Sequence, residues 1–190
     1  MPLGDSITYG FGSSGGGYRP TLWQDLTGAG ATVDFVGSQS SGGTGLGDSD
    51  HEGHSGWTTQ QIYDNITSWQ STYKPQTILL HIGTNDITNN NWSGAANLLG
   101  SPVDRIVSNN PSVNLFIAKI IPLSYSSGDQ AAQQFNATIP NMVASRVAKG
   151  SKIYVVDMHS ALSTSDLSDQ VHPNNNGYVK MGNAWWTALQ

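Results

Sequence analysis

The sequence contains no cysteine among its 190 residues. This absence excludes disulfide bridges, thiolate nucleophiles and metal sites with cysteine ligands. It says little about the compartment, because a chain of this length can bury enough apolar surface to fold without crosslinks. No apolar run approaches the roughly 18 residues that a membrane-spanning helix needs. We therefore predict one domain, residues 1–190, that needs no disulfide and has no membrane partner.

Charged residues are also scarce. They make up 11% of the chain, against about 25% in ordinary globular domains. Thirteen acidic and eight basic side chains give a net charge of -5, which argues against a nucleic-acid partner. The polar surface must therefore come mainly from Ser, Thr, Asn, Gln and Gly. Together with six Trp and seven Tyr, this neutral surface favours a carbohydrate partner.

The beginning of the sequence has neither a signal peptide nor a full-length first strand. Met1-Pro2-Leu3 gives only about three apolar residues before the polar turn begins, whereas strands usually have about 5–6 residues. We therefore expect the first strand to begin upstream of Met1 and the sequence to be a mature or trimmed form.

Blocks of apolar residues predict strands that alternate with helices. The continuous apolar run 77–82 is typical of a strand with both faces buried. Pro140 should kink or split its helix, because proline lacks the amide hydrogen and clashes with the preceding turn. We predict five strands, at 1–3, 32–37, 77–82, 113–121 and 152–157, a long loop at 38–56, and helices that begin at 18 and 58 and span 95–108, 130–149 and 175–190.

Strands that alternate with helices form βαβ units and a parallel sheet covered on both faces. The sequence therefore predicts an α/β fold, a three-layer α/β/α sandwich with a central five-stranded parallel sheet. Ligands of such sheets bind beyond the carboxyl ends of the strands. The residues that follow predicted strands or their loops there are Ser6, Gly56, Asn85, Asp169 and His172.

Ser6 follows the short first strand in Gly4-Asp5-Ser6. A serine hydroxyl is a weak nucleophile unless a base, a group that orients the base, and oxyanion donors accompany it. The segment Asp169-Gln170-Val171-His172 could supply the first two, since a separation of three residues lets the carboxylate reach the imidazole Nδ1. The alternative is an ordinary turn aspartate beside a surface histidine.

Asn85 and Gly56 are the candidate oxyanion donors. The Asn85 amide follows a buried strand, and the backbone N–H of Gly56 has no Cβ beside it. The backbone N–H of Ser6 would be a third donor. The alternative for both residues is turn formation, because Asn and Gly dominate turns.

The sequence resembles the SGNH (GDSL-like) hydrolases, and within them most closely carbohydrate esterase family 3, the acetyl xylan esterases. The narrower resemblance depends on the N-terminal segment 1–8 and on 51–57. The four blocks of the superfamily occur in order: Gly4-Asp5-Ser6-Ile7-Thr8, Gly56, Gly83-Thr84-Asn85-Asp86 and Asp169-x-x-His172-Pro173.

The resemblance implies a flavodoxin-like fold and a role for each site residue. Ser6 would be the nucleophile, His172 the base and Asp169 the residue that orients it. The oxyanion hole would consist of the N–H groups of Ser6 and Gly56 and the side chain of Asn85. The resemblance also implies a secreted enzyme that needs no cofactor, and we expect it to be monomeric.

Two further groups of residues invite a functional interpretation. The aromatic residues Trp57 and Trp92 could line a sugar or acyl site, or simply cover the adjoining loops. Acidic and histidine residues crowd one short segment, and they could bind a hard cation or hold the loop by hydrogen bonds. We favour the second interpretation and predict no metal. The cluster comprises Asp48, Asp50, His51, Glu52 and His54.

Three functional hypotheses follow. The first is a serine esterase that removes O-acetyl groups from a polysaccharide such as xylan. The second keeps the same residues but acts on a short-chain lipid, a lysophospholipid or a thioester. The third is a carbohydrate-binding module without ester turnover, which the presence of Ser6, Asn85 and His172 disfavours.

Overall fold

A sheet of six strands lies at the centre of the fold. The computed structural model describes residues 1–43, 45–89 and 92–190, but not the side chains of 92–97. The strand order is β2-β3-β1-β4-β5-β6; β2 pairs antiparallel with β3, and the other pairs are parallel. The strands are β1 (Pro2–Gly4), β2 (Gln39–Ser40), β3 (Asp50–Gly53), β4 (Thr77–His81), β5 (Asn114–Ala118) and β6 (Ile153–Val156).

The long helices lie where the sequence predicts them. They are α2 (Arg19–Gly28), α3 (Thr59–Tyr73), α5 (Trp92–Asn109), α6 (Ser126–Val147) and α8 (Asn175–Leu189). Short helices follow three of the strands and were not predicted: α1 (Ser6–Tyr9), α4 (Thr84–Thr88) and α7 (Met158–Ala161). Helix α6 continues through the exposed Pro140, so this proline does not split the helix, and the kink that was the other expectation stays a prediction.

Helices cover both faces of the sheet, which confirms the predicted three-layer α/β fold. Alternate residues of β5 enter opposite cores: Leu115 and Ile117 pack with α3, α5 and α6, whereas Phe116 packs with α2 and α8. The sequence predicts five parallel strands, and the structure adds the two-residue antiparallel strand β2 at one edge.

The prediction of a strand at 32–37 was wrong. Phe35 in this segment is buried, as the apolar pattern indicates, but its backbone N–H donates to the Asp48 carboxylate at 2.6 Å and not to a neighbouring strand. The strand that pairs with β1 on the side away from β4 is instead β3, which lies within the predicted loop 38–56. Its buried side chains include the polar residues His51 and Glu52, so the segment lacks the apolar pattern of a strand.

Strand β1 lies between β3 and β4 and pairs with both. Leu3 is in register with Glu52 on one side and with Leu80 on the other. Since the three strands are parallel, the turns that follow them lie at one edge of the sheet. Among the described residues, no helix has the length and apolarity needed to cross a membrane.

Candidate active site

Ser6 is the first residue of α1, directly after the turn that ends β1. The strand must end in glycine, because a Cβ on Gly4 would lie 2.1 Å from the carbonyl oxygen of His81. Asp5 then caps the helix, since its Oδ1 accepts a hydrogen bond from the Ile7 N–H at 2.9 Å. The residue Ser6 is itself largely buried, with 7% of its surface exposed. The turn therefore holds its hydroxyl in one place at the sheet edge.

His172 and Asp169 complete a chain of hydrogen bonds with Ser6. The Ser6 Oγ lies 3.0 Å from His172 Nε2, and His172 Nδ1 lies 2.8 Å from Asp169 Oδ2. An ionised carboxylate only accepts hydrogen bonds, so the imidazole carries its proton on Nδ1 and leaves Nε2 free to accept the serine proton. The geometry is that of a nucleophile, a base and an orienting carboxylate.

The Asp169 carboxylate is kept ionised by its neighbours. Partial burial acts to raise its pKa, but hydrogen bonds from the His172 N–H and ring and from the Val171 N–H outweigh it, so the pKa lies below its usual value. Both backbone N–H groups donate to Asp169 Oδ1 at 2.7 Å. The same carboxylate thus fixes the turn and the imidazole.

Asp166 secures the loop that carries His172, a role that the sequence did not reveal. Its carboxylate accepts hydrogen bonds from Lys180 Nζ at 2.7 and 2.8 Å and from Asn176 Nδ2 at 2.8 Å, both in α8. The hydrogen bonds from Lys180 and Ser163 lower the pKa of this buried carboxylate far below its usual value. The Asp166 carbonyl also accepts from the Asn174 N–H at 2.8 Å, just after His172.

Asn85 lies in α4, immediately after β4. One hydrogen of its amide is committed, because Nδ2 donates to the Trp57 carbonyl at 2.8 Å. A primary amide has two hydrogens, so the second is available to another acceptor. Asp86, the next residue, accepts from the Thr59 N–H and hydroxyl at 3.0 and 2.7 Å, which joins α4 to the start of α3.

Gly56 lies in the turn between β3 and α3 and has a φ of 83°, in the left-handed region that favours glycine. A Cβ at this position would meet no atom within 4 Å, so the space beside its backbone is open. Gly56 directly precedes Trp57, the residue whose carbonyl holds the Asn85 amide.

Trp57 packs against its own neighbours in sequence and in the core. Its ring stacks on His54, with centroids 4.1 Å apart at 20°, and His54 stacks on Trp69 at 5.1 Å and 9°. This stacking is enough to explain the position of Trp57, and a role in lining the substrate site stays a prediction. The side chain of Trp92 lies outside the described residues.

The acidic and histidine residues between 48 and 54 are engaged in hydrogen bonds that fix the segment. His51 Nδ1 accepts from the Gly53 N–H at 3.0 Å, so Nε2 carries the proton and donates to Ser41 Oγ at 2.7 Å. Burial lowers the pKa of His51 to about 3, which keeps it neutral. Within the described ranges, no three His, Asp or Glu side chains are grouped as a metal site would require.

Glu52 is the most deeply engaged residue of this segment. It is fully buried and accepts hydrogen bonds from the Ser38 hydroxyl at 2.5 Å, the Ser38 N–H at 2.7 Å and His54 Nε2 at 2.5 Å. Sequence reasoning considered Glu52 only as a metal ligand or loop residue. The sequence signal that could have distinguished it is its position two residues before His54 and four residues before Gly56.

Comparison with known proteins gives consistent matches. Residues 3–180 match the model of the GDSL-like lipase/acylhydrolase family. The structure of a family 3 carbohydrate esterase from Clostridium thermocellum is 40% identical and has a TM-score of 0.90, with 99% of this chain and 92% of that chain covered. A carbohydrate esterase family 3 structure from Talaromyces cellulolyticus is 32% identical and has a TM-score of 0.86, with 100% of this chain and 94% of that chain covered.

The similarity extends to a larger curated protein. The multidomain esterase of Ruminococcus flavefaciens is 33% identical over 216 residues, which cover 100% of this chain. The chain spans only 28% of the length of that relative.

Proposed function

Because the chain belongs to the GDSL-like lipase/acylhydrolase family, we propose that it is a carboxylic ester hydrolase that removes O-acetyl groups from an acetylated polysaccharide such as xylan. The observation that carries the proposal is the hydrogen-bonded chain Ser6–His172–Asp169. The substrate class is supported by 40% identity to a family 3 carbohydrate esterase. An esterase, and not a non-catalytic binding module, is thus the function that we assign.

The proposed reaction begins when Ser6 Oγ attacks the acetyl carbonyl carbon and His172 Nε2 takes the serine proton. The second hydrogen of the Asn85 amide and the N–H groups of Ser6 and Gly56 stabilise the negative oxygen of the tetrahedral intermediate. When the intermediate collapses, His172 gives the proton to the departing sugar oxygen.

Water completes the proposed cycle. His172 takes a proton from the water as it attacks the acetyl carbon, and a second tetrahedral intermediate forms at the same donors. Its collapse breaks the bond to Ser6 Oγ, which regains a proton from His172, and releases acetate. Asp169 stays ionised throughout and stabilises the imidazolium. No cofactor takes part in these steps.

The variant Ser6→Ala tests the nucleophile. With 4-nitrophenyl acetate we expect kcat to fall by about a thousandfold or more, because the hydroxyl that forms the acyl-enzyme is lost. Asn183→Ala, an exposed substitution in α8, is the matched control and should leave the rate unchanged. Wild-type turnover by Ser6→Ala would contradict the assignment.

Acetate release tests the substrate class. We expect a higher kcat/KM on acetylated xylan than on other acetylated sugars. The alternative substrate, a short-chain lipid, lysophospholipid or thioester, predicts a different result in an acyl-length series. A higher kcat/KM on octanoate than on acetate esters would favour that alternative.

We also propose that the enzyme acts outside the cell as a monomer. A polysaccharide is too large to cross a membrane, and the sparsely charged surface suits such a substrate. Activity in the culture medium of the source cells and light scattering of the purified protein test the two statements. Activity confined to the cells, or the mass of a dimer, would contradict them.

A further inference from the structure

Phe11 exposes an aromatic ring beside the imidazole of His172. The two ring centroids lie 4.6 Å apart at an angle of 48°, and Phe11 remains 51% exposed. Because the ring is both exposed and in contact with His172, its open face is available to the apolar face of a ligand bound at that imidazole. Sequence reasoning did not select Phe11.

The backbone of Phe11 is fixed, although its ring faces solvent. Its N–H donates to the Ser6 carbonyl at 2.9 Å, and its own carbonyl accepts from the Tyr178 hydroxyl at 2.7 Å. Tyr178 is buried in α8, with 1% of its surface exposed. The backbone from which the ring projects is therefore fixed before any ligand binds, which reduces the entropy lost on binding.

The proposed reaction puts a sugar ring close to Phe11. His172 Nε2 must come within hydrogen-bond reach of the departing sugar oxygen in order to protonate it. The pyranose that carries this oxygen must then lie near the imidazole, which Phe11 already contacts. The C–H groups on one face of a pyranose are apolar, and contact with an aromatic ring removes both surfaces from water.

We propose that Phe11 forms the subsite for the pyranose ring that bears the acetyl ester. This inference rests on the proposed function and deepens it, because it assigns selection for a sugar alcohol to one side chain. Phe11 recognises the ring by stacking, and the acetyl group enters the site of Ser6 independently of that contact.

Two acetate esters with different alcohols test the subsite: an acetylated xylo-oligosaccharide and methyl acetate. The methanol that leaves from methyl acetate is too small to stack on Phe11. A change in the rate on methyl acetate therefore reports a disturbance of His172 itself. We expect Phe11→Ala to lower kcat/KM about tenfold more on the oligosaccharide than on methyl acetate. Phe11→Tyr should keep the wild-type ratio, since it retains the aromatic ring.

Tyr154→Ala is the matched control, because Tyr154 is 47% exposed in β6 and stacks on Phe116 away from Ser6. It should leave the ratio unchanged. If Phe11→Ala lowers both rates equally, Phe11 only positions His172 and the subsite is wrong, while the proposed function stands. If the wild type hydrolyses methyl acetate but no acetylated sugar, the proposed substrate and the subsite are both wrong.

Discussion

The buried carboxylate of Glu52 accepts a hydrogen bond from the imidazole of His54 at 2.5 Å. His54 stacks on Trp57, and the carbonyl of Trp57 accepts the hydrogen bond that orients the Asn85 amide. A continuous set of contacts thus leads from Glu52 to Asn85, the proposed oxyanion donor. Neither Glu52 nor His54 contacts Ser6 among the described hydrogen bonds, so their effect on catalysis would be indirect.

Glu52→Gln is expected to lower kcat by about ten- to a hundredfold with little change in KM. A glutamine has one acceptor oxygen, so it cannot accept the hydrogen bonds of Ser38 and His54 in the way the carboxylate does. His54 and Trp57 would then shift, and the Asn85 amide would lose its fixed direction. Steady-state kinetics on 4-nitrophenyl acetate measure kcat and KM separately. Affinity for a boronic acid that forms a tetrahedral adduct with Ser6 should fall in parallel. Asp50→Asn, an exposed change on the same strand, is the control. Lower stability with unchanged kcat would mean that Glu52 supports only the fold.

Asn85→Ala is expected to lower kcat by about a hundred- to a thousandfold, the usual effect of removing one oxyanion donor. KM should change little, since the amide acts on charge that develops in the transition state. Steady-state kinetics on 4-nitrophenyl acetate provide the measurement. Asn89→Ala, at the exposed C-cap residue that follows the same helix, is the matched control. A loss below fivefold would remove Asn85 from the proposed oxyanion hole.

Much of the fold could be predicted because its strands carry a strong local signal. The runs that form β4 and β5 are mostly apolar, since both faces of each strand are buried. Strand β3 could not be predicted in this way. Its buried residues His51 and Glu52 are polar, and their partners Ser41 and Ser38 lie in a preceding segment of the chain. Such partners become evident only in the folded structure.

In the candidate site too, residues in short sequence motifs could be predicted, whereas contacts between distant segments could not. Ser6, Asp169 and His172 could be selected from sequence, because each stands in a short motif whose chemistry depends on residue type and spacing. The bond from Asn85 to the Trp57 carbonyl could not be selected, because it joins the ends of two different strands. The exposed ring of Phe11 was missed for a similar reason, since it lies 161 positions from His172 in the chain.

Gly56→Ala tests whether the left-handed backbone at Gly56 is needed for catalysis as well as for stability. The new Cβ meets no atom within 4 Å, so the expected loss of stability comes only from the left-handed backbone and amounts to about 1–2 kcal/mol. Gly30→Ala is a matched control, with a φ of 82° and equally open surroundings. Both variants should lose similar stability in urea unfolding, but only Gly56→Ala should lower kcat. The loss of kcat would come from a backbone that relaxes out of the left-handed region and turns the Gly56 N–H away from the oxyanion, and equal kcat values would contradict this prediction.

The stability of the protein should depend on pH through Asp5, which directly precedes Ser6 in the chain. Burial raises the pKa of this carboxyl to about 7, and the nearby Asp86 adds to the effect against the opposing Ile7 N–H. The folded state therefore binds the proton more tightly than the unfolded state, whose pKa is near 3.8. Stability is full below that value and falls as pH rises through 7.

Asp5→Asn should remove this dependence, because the amide keeps an acceptor for the Ile7 N–H and cannot ionise. Between pH 5 and pH 8, the free energy of unfolding of the wild type should fall by about 2–3 kcal/mol relative to the variant. Urea unfolding of both proteins at the two pH values measures the difference. Burial lowers the pKa of His51 and of His81 in both proteins, so their contributions cancel. An equal difference at both pH values would mean that Asp5 is ionised throughout.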